Sequence, residues 1–290
     1  MKIERLRGWA GPIFLAACLI LGGASGRGAG AVGNAALQLA AVAVIVLSLW
    51  TRRDSVYPVQ AKQLTWIVAG FVLIVALSLI PLPASLWPSL PGREPIAAGY
   101  PLLGMDLPAL PLSLSAQQTL ASLMWVLPPI AMFLLVLQAS PRRRRRMLWV
   151  ALIVAVFSIG LGAAQLLGGE GSGLRFYQIT NRTQPVGFFA NANHQATLLL
   201  CALPLTGYLA ARALSRGKKA QRSAGLIVSS AIALFLLVGI GIIGSLAGYG
   251  LALPAVLATL LIYRRASSGR LGGKELGGFA AVFALFIGLA

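Results

Sequence analysis

Five side chains in the middle of the sequence have the types and spacing to bind something: Arg175 and Arg182, and then Asn191, Asn193 and His194. The two arginines lie in a stretch that also holds Tyr177, Thr180, Asn181 and Gln184. Guanidinium groups grip phosphate oxygens in a two-pronged fork. Amides and a phenol suit hydroxyl-rich ligands. The mixture fits an anion attached to a sugar, and it also fits a headgroup-level loop whose arginines meet lipid phosphates. Asn191, Asn193 and His194, the only histidine of the chain, stand where an apolar run begins. Either asparagine can cap a helix there. The helix N-terminus itself favours an anion, so a cap accounts for part of the stretch and a phosphate site for all of it.

The elements that must position these residues are membrane spans. Of 290 residues, 58% are hydrophobic and 10% charged, against about 25% charged in a soluble domain. A span needs about 20 mostly apolar residues. Runs near 9–24, 35–50, 64–82, 119–139, 147–167, 193–212, 224–243 and 247–263 qualify, and a ninth begins near 277. The expected fold is an all-α, polytopic transmembrane bundle with about nine spans, forming a single domain over 1–290. The last run reaches Ala290 with no polar flank, which suggests a chain cut short before a large outer loop.

The net charge of +18 would suggest nucleic acid in a soluble protein. Twenty of the 24 Lys and Arg instead fall in alternate connections, which is the positive-inside pattern. It places the N-terminus in the cytoplasm and loops 25–34, 83–118, 168–192 and 244–246 outside. The run of five arginines at 142–146 reads as a topology anchor, compatible with anionic lipid. The start of the chain has signal-peptide features, but its flanks fit the alternation of an uncleaved first span. Cys18 and Cys201 both lie in apolar runs and give no disulfide or metal framework. All six acidic residues lie outside the spans, whereas an ion-coupled transporter usually keeps an ionisable group at membrane depth. Loop 83–118 is rich in proline and is expected to hold no regular element. Its Leu, Ile and Trp content places it on the membrane surface, and Ser113 or Ser115 can cap the span that follows.

Three stretches carry a resemblance: IPLPASLWPSLPGRE at 80–94, PLSLSAQQTLASL at 111–123 and GFFANANHQATLLLCALPL at 187–205. In this order relative to the spans, they look like the O-antigen ligase and polymerase family of polytopic glycosyltransferases. The third resembles that family's Gly-Phe followed by two asparagines one residue apart. The resemblance implies transfer of a glycan from a polyprenyl-diphosphate-linked donor to a lipid-linked or glycan acceptor, at the outer face of the bacterial inner membrane. It implies membrane lipids as surroundings, no nucleic acid, no cofactor and no metal. It assigns substrate binding to Arg175, Arg182, Asn191, Asn193 and His194. The family's catalytic histidine is expected in a large outer loop beyond residue 290, so His194 does not take that role. Many members carry Ser-Arg at the start of a later span; here Ser245 is followed by Leu246, which removes one diphosphate ligand. That departure suggests one alternative, a non-catalytic scaffold of a polysaccharide export or assembly machine. A second alternative is a membrane transporter, for which Gln165 and Ser245 near span ends are the candidate polar residues.

Overall fold

A computed structural model describes residues 2–24, 29–50, 59–215 and 218–267. The ninth run near 277 therefore lies outside the described residues, as do Arg27, Arg52, Arg53, Arg216, Arg270 and Lys274. The fold is all-α. In chain order the helices are α1 (Lys2–Leu21), α2 (Ala29–Trp50), α3 (Val59–Leu77), α4 (Glu94–Leu102), α5 (Ala116–Gln138), α6 (Pro141–Leu167), α7 (Ala192–Leu214), α8 (Lys219–Ile243) and α9 (Leu246–Ser267). Two strands of two residues, β1 (Pro81–Leu82) and β2 (Leu110–Pro111), complete the elements. Among the described residues, seven helices are long and apolar enough to cross a membrane: α2, α3 and α5 to α9. The apolar part of α1, Gly8–Leu21, is shorter.

The contacts fall into two units, one of Met1–Leu37 with Ala139–Ala290 and one of Gln38–Gln138. In the first unit the core lies among α6, α7, α8 and α9, with Leu152, Leu199, Leu203, Leu236, Ile240 and Val256 at its centre. α1 runs alongside α6. Arg146 Nη1 donates to Gly8 O at 3.5 Å, and its guanidinium lies 4.7 Å from the Trp9 ring centroid. α7 and α9 are parallel: Ala196 meets Gly248 near their N-termini, and Ala211 packs with Tyr263 near their C-termini. Between these points the backbones nearly touch, since a Cβ on Gly207 would stand 2.4 Å from Thr259 O. Small residues permit such close approach between spans.

This arrangement sorts charge by end. Arg142–Arg146 at the start of α6, Arg212 at the end of α7, Lys218, Lys219 and Arg222 around the start of α8, and Arg264 and Arg265 at the end of α9 share one end. The opposite end carries the 168–191 connection and the α8–α9 turn. Its only cations among the described residues are Arg175 and Arg182.

The second unit corrects the expectation for 83–118. Regular structure does form there: α4, a 3-10 turn at Trp87–Ser89, and the antiparallel pairing of Pro81 with Pro111 and Leu82 with Leu110. Proline is compatible with all of these. Pro95 lies in the first turn of α4, where its missing N–H has no intrahelical partner to lose. Pro81 and Pro111 sit in a two-residue pairing that asks little of a backbone ladder. Ser115 Oγ accepts from Gln118 N at 3.4 Å at the start of α5, while Ser113 Oγ accepts from Ser115 N at 3.2 Å.

Candidate functional site

The residues singled out by the sequence lie at the cation-poor end of the first unit. The 168–191 connection is held down by three buried amide and hydroxyl groups of the spans. Gln165 is fully buried and uses its whole amide: its Nε2 donates to Leu174 O (3.1 Å) and Gly187 O (2.8 Å). Its Oε1 accepts from Val186 N (3.1 Å) and Gly187 N (2.9 Å). Ser158 Oγ accepts from Phe188 N at 3.2 Å and donates to Gln195 Oε1 at 2.6 Å. Gly187 sits against this pair at φ 56°, and a Cβ there would lie 2.2 Å from Ser158 Oγ. Only glycine fits such a position. The glycine of the 187–194 stretch is thus explained by packing, and Gln165 clamps the connection with both ends of its amide.

Asn191 is the N-cap of α7. Its Oδ1 accepts from Asn193 N at 2.8 Å, and its carbonyl accepts from His194 N at 3.0 Å and Gln195 N at 3.2 Å. Asn181 Oδ1 takes the remaining donor, Ala192 N, at 3.0 Å, and Asn181 N returns to Ala190 O at 3.1 Å. All of the first-turn N–H groups are occupied by the protein itself. Two asparagine side chains and the Asn191 carbonyl thus meet the backbone donors of this helix start.

Arg175 is likewise engaged within the protein. Its Nη1 donates to Asn181 O (2.6 Å) and Gln184 O (3.1 Å), and its Nη2 to Arg182 O (2.5 Å). Its Nε is enclosed without a partner. The guanidinium organises the 181–184 turn from inside. Gln184 carries that turn onward, donating from Nε2 to Ile243 O (3.1 Å) and Gly244 O (3.2 Å) at the end of α8. Tyr177 is half-buried. Burial pushes its phenol above the ordinary value of 10.0, and a hydrogen bond with the Gly23 backbone pulls the other way.

What remains outward is a smaller set. Arg182 is exposed, and its guanidinium donates from Nη1 to Glu170 O at 3.2 Å. Asn193 is exposed; its Oδ1 accepts from Ser245 Oγ at 2.6 Å, which leaves the Nδ2 donors outward. His194 is exposed, with the Phe189 ring edge-on at 6.4 Å between centroids. Asn181, bonded on both sides of Asn191, ties Arg182 to the start of α7. Leu246, 86% exposed, opens α9 beside Ser245. Sequence reasoning missed the clamps Ser158 and Gln195. Their signal is polarity inside long apolar runs, where an unbonded amide is costly and a partner must exist.

No family model, curated protein or solved structure matches the chain. What the fold and composition define is the class: an all-α protein whose apolar helices suit a multi-pass membrane protein.

Proposed function

We propose that the chain is part of a membrane glycan ligase or polymerase of the O-antigen type, seated in the bacterial inner membrane. In this reading the N-terminus and the cation-rich helix ends are cytoplasmic, nine spans begin within the chain, and the 168–191 connection faces outward. Arg182 and the Asn193 amide bind the diphosphate of a polyprenyl-linked glycan donor, and His194 lines the same surface. When the bond between sugar and phosphate breaks, negative charge gathers on the diphosphate, and fixed donors lower the barrier by meeting it there. Arg175 and Asn191 serve this site from behind, by fixing the turn and the helix start. Transfer goes to a hydroxyl of a lipid-linked or glycan acceptor, and no catalytic role is given to His194.

The observation that carries the reading is exposed Arg182 on a connection clamped by Gln165, Ser158 and Arg175, with exposed Asn193 and His194 in the first turn of the helix that follows it. A loop that served only as a headgroup anchor would not need so many buried bonds to fix its shape. The experiment is transfer of a polyprenyl-diphosphate-linked glycan by membranes containing the full-length protein, in a strain lacking its own enzyme. Absence of transfer to any lipid-linked or glycan acceptor would leave the scaffold reading in its place.

A further inference from the structure

The connection between α3 and α5 closes on itself. Ser113 N donates to Ser78 O at 2.9 Å, and β1 pairs with β2 immediately beyond. The residues between form a lobe standing on the ends of two spans. Its interior is unusual for a membrane-proximal loop. Trp87 is fully buried, with Nε1 donating to Pro108 O at 2.8 Å and the Tyr100 ring edge-on at 6.3 Å. Arg93 is 6% exposed, with Nη2 donating to Pro111 O at 3.1 Å and also to Leu112 O. The tryptophan and the arginine are the residues that usually sit at a headgroup boundary. Here both are consumed in holding the lobe together.

The leucines are outside instead. Leu102, Leu103, Met105 and Leu114 are 87%, 75%, 55% and 79% exposed. The first three gather at the end of α4, where Gly104 at φ 67° turns the chain and Met105 N donates to Tyr100 O at 3.0 Å. Leu112 and Leu114 flank Ser113, the residue bonded to Ser78 at the end of α3. Leu77 and Ile80 are exposed on the α3 side of that bond. An uncovered apolar strip therefore runs from a span onto the lobe. α3 itself has no buried residue, so the medium that covers the span is continuous with the strip.

We infer that the lobe inserts its leucine edge, the Leu102–Met105 tip and Leu112–Leu114, shallowly into the leaflet from which α3 and α5 emerge. The partner is the lipid surface, and the attraction is apolar. The only cation between residues 79 and 115 is the buried Arg93, while Glu94 and Asp106 are exposed. Nothing in the lobe is left to recruit anionic headgroups, so insertion is independent of lipid charge. Asp106, beside the tip, keeps the insertion at headgroup depth. Glu94, at the opposite end of α4, stays in water. The inference rests on the lobe and the spans and holds whichever reaction the protein performs.

Environment-sensitive fluorophores on single cysteines at Leu103, Leu114 or Glu94 test it, in the full chain with Cys18 and Cys201 replaced. The protein is reconstituted in vesicles of neutral phosphatidylcholine, with and without spin-labelled lipid. Labels at Leu103 and Leu114 should emit blue-shifted light and lose at least half of it to the spin-labelled lipid. The label at Glu94 should emit as in water and be quenched by aqueous iodide. Adding anionic lipid or salt should change none of this. Leu112 replaces Leu114 if that variant does not elute as folded protein. A water-like Leu103 label overturns the inference. So does a blue shift that spin-labelled lipid does not quench, which would mean a protein partner covers the tip, and so does insertion that appears only with anionic lipid.

Discussion

Ser245 and Asn193 meet across 2.6 Å, Oγ donating to Oδ1, while Ser245 Oγ also accepts from Gly248 N at 3.0 Å. The serine caps α9 and orients an amide on α7 at once. With its oxygen engaged, Asn193 presents donors alone, which suits an acceptor-rich anion. Ser245→Thr should keep both bonds and wild-type transfer. Ser245→Gly retains a workable cap, at a cost of a few tenths of a kcal/mol, but frees the amide to turn, and donor KM should rise severalfold. Asn193→Asp keeps the bond to Ser245 and replaces the donors with oxygens. It should abolish transfer at an unchanged melting temperature. Wild-type transfer by Asn193→Asp would mean that the amide only links α7 to α9.

Arg175 should behave as a scaffold residue. Arg175→Ala removes hydrogen bonds to the carbonyls of Asn181, Arg182 and Gln184. Bonds from a charged donor contribute about 1.5–3 kcal/mol each when buried; at this half-exposed site we expect about 2 kcal/mol in all. Limited proteolysis should cut the 168–191 connection far faster in the variant. A connection that resists protease while transfer is lost would give Arg175 back its direct role in binding.

The buried clamp sets the harshest substitutions. Gly187→Ala places a methyl group 2.2 Å from Ser158 Oγ and 2.6 Å from Gln195 Oε1, at φ 56°. Gln165→Leu strands two N–H groups and two carbonyls away from water. Each change should destabilise by about 3 kcal/mol or more, read as a lowered unfolding temperature in detergent. Melting temperatures within a degree of wild type would contradict the clamp.

The spans were legible because hydrophobicity over some twenty residues is a property of composition; α5, α7 and α9 begin and end within a few residues of the runs that announce them, while α6 and α8 start earlier, through their basic first turns. α2 starts earlier than its apolar run, since Gly30, Gly33 and Asn34 continue the helix without adding hydropathy. That an asparagine caps α7 could be read, because capping is local; that it is Asn191 and not Asn193 is seen only in the structure. The fate of Arg175 could not, because its partners are main-chain oxygens that carry no sequence signature. Nor could the lobe at 83–118: proline density speaks against regular structure, while Trp87 and Arg93 fold it through contacts 18 to 21 residues away.

The proposed orientation has its own test. Single cysteines at Gly171 and Lys218 lie at opposite ends of the first unit; Gly217, a neighbouring choice, lies outside the described residues. In intact cells an impermeant thiol reagent should label Gly171→Cys and spare Lys218→Cys until the membrane is opened. The reverse pattern would turn the protein over and remove the site from the outer face.

Arg182 is the side chain on which the account turns, since it is exposed where Arg175 is occupied. The deciding measurement is the donor KM and kcat of Arg182 variants in transfer of a polyprenyl-diphosphate-linked glycan. A lysine keeps the charge and loses the fork. Arg182→Lys should raise donor KM about tenfold, a difference of about 1.4 kcal/mol, and Arg182→Ala about a hundredfold or beyond detection, both at wild-type stability. Wild-type kinetics from Arg182→Ala would contradict the assignment and return the 168–191 connection to the role of a headgroup anchor.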